Sequence, residues 1–142
     1  MHPPLPVAKN RGRGVSLGLK SSSTAFASLA MVRLHYDGSA SVLSGTSDMG
    51  QGARTVLSQI AAEELGIDPA NISVRHGDTE STAFGFGTFP SRSMVMSGGA
   101  VARASRALRD KVERIGAHLL QCDVAEARWA DGAVSGPQGR SV

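Results

Sequence analysis

The apolar residues of this chain change their spacing several times, and each change marks an element. From Ser16 to Ser44 the spacing is that of strands. It is clearest over Met31–Tyr36, where Val32, Leu34 and Tyr36 share one face and Met31, Arg33 and His35 the other. Asp37-Gly38 is a two-residue hairpin signal, so residues 39–43 are expected to return antiparallel. The period then lengthens. Val56, Leu57, Ile60, Ala61 and Leu65 recur at helical spacing, which predicts a helix over residues 53–65. Gly66 sits where a left-handed cap belongs, and Pro69 prevents continuation. Ile72 and Val74 predict a short strand, and residues 77–90 are too rich in Gly and Thr for anything but a long loop.

A second helix is expected from Ser91 or Ser93 to about Gln121, on the strength of Val95, Ala102, Leu108, Val112, Ile115 and Leu119. Gly98-Gly99 interrupts it. Each glycine costs about 1 kcal/mol relative to alanine inside a helix, so the pair implies a bend and something packed closely against it. Trp129–Val134, with Asp131-Gly132 at its centre, reads as a further hairpin. The order of elements gives an α+β class: a mixed sheet with an antiparallel hairpin and two main helices packed on one face. Residues 1–14 carry three prolines and no apolar period, which makes them a flexible tail or linker. Residues 15–142 form the domain, and a chain of 142 residues is expected to fold around one core.

Composition narrows the function classes. The longest uncharged runs are broken by Ser and Gly, so no membrane span is read, and nothing at the start resembles a secretory signal. The single cysteine, Cys122, excludes an internal disulfide and any zinc cluster of several thiolates. A cytoplasmic setting is the expectation. Lys9, Arg11, Arg13 and Lys20 make too short a basic stripe for a nucleic-acid arm, and scarce aromatics argue against a base-stacking platform. The 17 glycines, by contrast, point to places where backbone turns sharply or approaches a ligand.

Two glycine-bearing segments carry candidate chemistry. The loop Gly45–Gly52 begins with the spacing of a phosphate-binding loop, but Gln51 and Gly52 stand where Lys and a magnesium-binding hydroxyl belong. Triphosphate hydrolysis is therefore not expected. What remains is a strand-to-helix turn whose N–H groups face an anion, with the Gln51 amide, between Gly50 and Gly52, placed to donate to a ligand oxygen. The plain alternative is a tight turn and nothing more. In residues 85–93 (GFGTFPSRS), Ser91 and Ser93 bracket Arg92 at a helix start, which suits a pyrophosphate. Here the plain alternative is a serine N-cap beside a surface charge. Two such helix starts in one small domain point to a dinucleotide or phosphorylated cofactor. His35, His76 and His118 have no spaced partner that would complete a metal site. Cys122 reads as a small buried hydrophobe, and Asp78 and Glu80 as solvated loop carboxylates.

Taken together, three motifs resemble one family. They are Asp37–Ile67 with its GQG loop (Gly50-Gln51-Gly52), Gly77–Thr79 (GDT), and Phe84–Val101 with its SRS segment (Ser91-Arg92-Ser93). Residues 12–142 resemble the large subunit of molybdenum hydroxylases of the xanthine dehydrogenase/aldehyde oxidase type. The resemblance implies part of a larger molybdopterin-binding domain, with a molybdenum cofactor in its cytosine dinucleotide form and no direct protein ligand to the metal. It places Gly50, Gln51 and Gly52 against the pterin and pyrophosphate. Thr88, Ser91, Arg92 and Ser93 would meet the dinucleotide through backbone and hydroxyl groups. Pro90 departs from the small residue expected before the SRS segment. The family reaction hydroxylates an aldehyde or N-heterocycle with water, a late Gly-x-Gly-Glu glutamate acting as base. This sequence has no Gly-x-Gly-Glu and lacks the family's earlier glycine-rich Phe-Gly loop; Glu63 and Glu64 are poor substitutes for the base. The resemblance therefore implies a cofactor-binding piece, catalytically inactive alone. Its implied partners are the remaining large-subunit domains and companion iron–sulfur and FAD-carrying chains, not nucleic acid or membrane. Self-association through uncovered helix faces is a further expectation. The alternative is a non-enzymatic module that binds a nucleotide or a protein through the same loops.

Overall fold

The computed structural model describes residues 8–20, 26–82, 84–89 and 91–142. Strands β1 (Ala30–Leu34) and β2 (Ala40–Ser44) pair antiparallel, in a register running from Ala30↔Ser44 to Leu34↔Ala40. Helix α1 (Ala53–Leu65) then carries the chain to β3 (Ile72–Arg75), which pairs parallel with β2, from Ala40↔Ile72 to Leu43↔Arg75. The resulting mixed sheet has the order β1-β2-β3. Helix α2 (Gly99–Leu120) packs beside α1 on the same face. The α+β expectation, with both helices on one side of the sheet, describes what is found.

Alternation decides which face is covered. Val32 and Leu34 of β1, Ala40 and Val42 of β2, and Ile72 and Val74 of β3 all point at the helices. They meet Leu57, Ala61 and Leu65 of α1 and Val101 of α2 in one core. Burying each of the larger aliphatic side chains stabilises the fold by roughly 1.5–3 kcal/mol. A second, smaller cluster joins Ala117 and Leu120 of α2 to Ala127 and Val134. Val134 belongs to a hairpin of β4 (Arg128–Ala130) and β5 (Ala133–Ser135). The Trp129 indole N–H donates to the Leu65 carbonyl at the end of α1, which ties this hairpin back to the main core.

Several expectations need correction. The β1–β2 turn is a three-residue loop, Tyr36-Asp37-Gly38. Here the Gly38 N–H donates to the His35 carbonyl (3.1 Å) and the His35 N–H to the Ser39 carbonyl (2.8 Å). The Asp37 carboxylate accepts from the Ser39 N–H and hydroxyl at 2.9 and 2.7 Å. That side-chain turn fixes Asp37 inside the loop and leaves only Gly38 in the left-handed region, at φ 82°. The second helix begins at Ser93, as expected, but not as an α-helix. Residues Ser93–Gly98 form a wider π-type turn, and α2 proper starts at Gly99 and runs unbroken. Close packing is found at Gly98, where a Cβ would lie 3.1 Å from the Ile60 Cδ1, but not at Gly99, whose nearest neighbour would be the Arg103 guanidinium at 3.7 Å.

The strand pattern from Ser16 also fails locally. Residues 8–20 are exposed and form no strand, because no second strand accepts their backbone groups. Among the described residues, the loop after His76 holds no regular element apart from one antiparallel bridge, Ser28↔Gly85. Pro90 lies outside the described residues.

Candidate functional site

The β2 alternation does not stop at the strand's end. Val42, Ser44 and Thr46 are all buried on the core side, so Thr46 enters the Gly45–Gly52 loop already fixed in direction. Its Oγ1 lies 2.9 Å from Thr88 Oγ1 and 3.2 Å from Ser93 Oγ. Thr88 Oγ1 also accepts the Ser47 N–H (2.8 Å) and donates to the Ser47 carbonyl. Three hydroxyls thus stitch the first glycine loop to the second, across more than forty residues of sequence. The approach is close: a Cβ on Gly85 would lie 2.9 Å from the Gly45 Cα and carbonyl oxygen. Only glycine at residue 85 lets these two backbones touch.

Within the first loop, Gly50 and Gly52 take positive φ (96° and 76°), and nothing lies within 4 Å of where their Cβ atoms would be. Their outer side is open space. Gln51 is exposed, and its amide folds over its own loop: Nε2 donates to the Ser47 carbonyl (2.9 Å) and Oε1 accepts the Met49 N–H. The start of α1 is not open to an outside anion in the way the sequence suggests. Asp48 accepts the Gly50 N–H at 2.9 Å and the Arg54 N–H at 3.2 Å, so the chain supplies its own carboxylate there. Those backbone bonds, Arg54 first, hold the Asp48 carboxyl below its ordinary pKa, with a smaller pull from His76. The His76 Nε2 is buried and finds no hydrogen-bond partner among the described residues.

The second motif splits by role. Ser91 is exposed with φ 64°, Ser93 is half-buried in the hydroxyl network, and Arg92 between them is 1% exposed. The Arg92 guanidinium is not a surface charge. It donates to the carbonyls of Gly87 (3.0 Å), Phe26 (2.8 Å) and Ala27 (3.1 Å), and lies 5.5 Å from the Phe89 ring centroid. Arginine's fixed fork suits this, since one buried cation can satisfy several carbonyls at once.

A concavity of about 260 Å³ lies where the loops meet, lined by Thr46, Gln51, Ala53, Val56, Leu57, Ser93 and Met94. Gln51 and Ser93 both line it, whereas Gly50, Gly52, Thr88, Ser91 and Arg92 do not. Its lining carries no carboxylate. Ala53, Val56, Leu57 and Met94 make most of its lining aliphatic, and Thr46, Gln51 and Ser93 supply its few polar groups. Among the described residues, no three His, Cys, Asp or Glu side chains converge as a metal would need. Sequence reasoning missed Thr46, Ser47 and Asp48. The signal for Thr46 was present as the 42-44-46 alternation continuing past Gly45.

Residues 5–142 match the molybdopterin cofactor-binding domain family. The chain is 41% identical over 98 residues to the carbon monoxide dehydrogenase large chain of Hydrogenophaga pseudoflava, covering 69% of this chain and 12% of that one. It is 34% identical over 139 residues to the nicotine 6-hydroxylase large subunit of Paenarthrobacter nicotinovorans, covering 89% and 17%. Among solved structures, a Cu,Mo-CO dehydrogenase superposes with a TM-score of 0.73 at 34% identity, over 80% of this chain and 14% of that one. Quinoline 2-oxidoreductase from Pseudomonas putida 86 gives 0.72 at 32%, over 81% and 14%. The chain spans less than a fifth of the length of these relatives. It belongs to the molybdopterin cofactor-binding domain family, as found in the large subunits of xanthine dehydrogenase-type molybdenum hydroxylases.

Proposed function

We propose that this chain forms one wall of the molybdenum cofactor's cradle in such a hydroxylase, holding the cofactor as its cytosine dinucleotide. The observation that carries this reading is the Thr46–Thr88–Ser93 hydroxyl cluster, which brings both glycine motifs to one concavity. Gly50 and Gly52 leave open space where no side chain intrudes, so a ligand can lie close against the loop that Asp48 and the Gln51 amide hold in shape, and Gln51 lines the concavity itself. Ser91, exposed, and Ser93 would meet the phosphates through hydroxyl and backbone groups at the mouth of the Ser93–Gly98 turn. Arg92 would act from behind: buried among carbonyls, it fixes the loop that carries Thr88 and leaves direct ligand contact to its neighbours.

When bound, the cofactor supplies the metal-centred hydroxylation of an aldehyde or N-heterocycle by water. This chain's residues bind and orient it, and no residue here is assigned the catalytic base. The isolated chain is accordingly inactive. The remaining large-subunit domains and companion iron–sulfur and flavin chains complete the cytoplasmic enzyme, because a buried cofactor needs walls on every side.

Titrating the ¹⁵N-labelled chain with cytidine diphosphate, and separately with adenosine diphosphate, tests the cradle. Amide shifts are expected at residues 50–52 and 91–94, larger with the cytidine probe. Equal response to both bases would remove the cytosine assignment, and no shift in either loop would remove the cradle. The rival reading, a module for nucleotides in general, is less favoured because the family match covers residues 5–142 and not the loops alone.

A further inference from the structure

Val15, Leu17 and Leu19 alternate with Ser16, Gly18 and Lys20, a period-two pattern that places three aliphatic side chains on one side of an extended segment. All three are fully exposed, at 98–105%. A soluble chain gains nothing by presenting a strand-patterned apolar stripe to water. The same molecule carries a receptor for it. β1 is an edge strand of the three-stranded sheet, so one line of its N–H and C=O groups has no strand beside it. At its end an apolar groove of about 260 Å³ is lined by Leu34, Tyr36, Val112, Ile115, Leu119 and Trp129. Ile115 and Leu119 of α2 remain 51% and 60% exposed within it.

We propose that residues 15–19 are a strap that closes on the open edge of β1, with Val15, Leu17 and Leu19 filling the groove beside α2. Ser16, Gly18 and Lys20 then stay in water, as their polarity requires. Phe26 and Ala27 are already held beside the start of β1 by Arg92, and Ser28 by its bridge to Gly85, so residues 20–25 are the tether; six residues span up to about 20 Å, enough for fold-back along β1 within one molecule. The structure shows the strap open. Closing it adds a fourth strand to the sheet and covers the exposed flank of α2. This inference stands apart from the cofactor reading.

Site-directed crosslinking of the whole chain tests it, in a Cys122→Ser background. Paired cysteines at Leu17→Cys and Ile115→Cys are expected to oxidise within the monomer at least about tenfold faster than Ser16→Cys with Ile115→Cys, because only the odd-numbered face turns to α2. Equal rates for the two pairs would mean a featureless tail and overturn the strap, as would crosslinks found only between molecules. Hydrogen exchange on the unaltered chain gives a second reading. Amides of residues 15–20 should exchange at least tenfold slower than an unstructured peptide; exchange at the peptide rate would overturn it equally.

Discussion

At the scale of single residues, glycine decides more than any charged group. Gly85 and Gly45 touch backbone to backbone, so Gly85→Ala forces a methyl group against atoms that cannot move aside. We expect it to destabilise the fold by about 1–3 kcal/mol in denaturant titrations and to abolish the paired amide shifts of the two loops. Asp48 makes a different prediction. Its pKa is depressed by the Arg54 and Gly50 N–H groups, so its stabilising effect is complete above the ordinary carboxylate pKa and disappears as pH falls through the lower, folded-state value. Asp48→Asn should therefore lower the melting temperature at neutral pH, and the gap between the two proteins should close in acid. A gap that persists unchanged at low pH would mean the carboxylate is not what holds the α1 start. Arg92 shows how burial rewrites a residue's role: the sequence marks it as an anion ligand, whereas its guanidinium is enclosed by carbonyls.

At the scale of elements, helix α2 is held at both ends by contacts of unequal tolerance. A Cβ on Gly116 would sit 2.5 Å from the Val134 side chain, so Gly116→Ala drives the β4–β5 hairpin off the helix. A loss of about 1–3 kcal/mol is expected, with the Trp129 fluorescence shifting as its bond to Leu65 breaks. Gly99, helical and with only a flexible Arg103 tip at 3.7 Å, behaves in the opposite way. Gly99→Ala should raise stability by about 0.4–1 kcal/mol by reducing the freedom of the unfolded chain. A higher denaturation midpoint for Gly116→Ala would overturn the close packing assigned there, and a lower one for Gly99→Ala the free space assigned to residue 99. The hydrophobic period made helices 53–65 and 99–120 legible, but not the π-type turn that opens the second. At its two ends Arg92 is drawn inward and Gly98 packs on Ile60, and neither contact is a local property.

At the scale of the whole molecule, the apolar surface is uneven. Phe26, Phe84 and Phe86 gather in one ring cluster, each 44–63% exposed. Phe26 stacks on Phe86 at 4.3 Å between ring centroids, and Phe84 meets Phe86 edge-on at 5.3 Å. An exposed apolar patch of this kind is prone to association. The isolated chain is expected to self-associate in light scattering, and Phe84→Ser with Phe86→Ser should reduce that association. Expressed with cofactor-synthesis machinery, it should retain molybdenum far below one atom per chain and show no dye-linked aldehyde oxidation. Robust turnover would overturn the reading of a partial cradle.

What the sequence determined alone were the features set by neighbours along the chain. These are the alternation of β1 and β2, the two helical stripes, the glycine stops, and the three motifs that carry the family likeness. Tertiary structure decided what depends on groups far apart in sequence. It placed Thr46 beside Thr88 and Ser93, turned Arg92 inward, put Asp48 on the helix start, and left residues 15–19 without a neighbouring strand. Periodicity records which side of an element faces away from water. It holds no information on which other element stands there, because burial rewards any apolar surface alike, whereas hydroxyl bonds and backbone contacts require one particular partner at one distance.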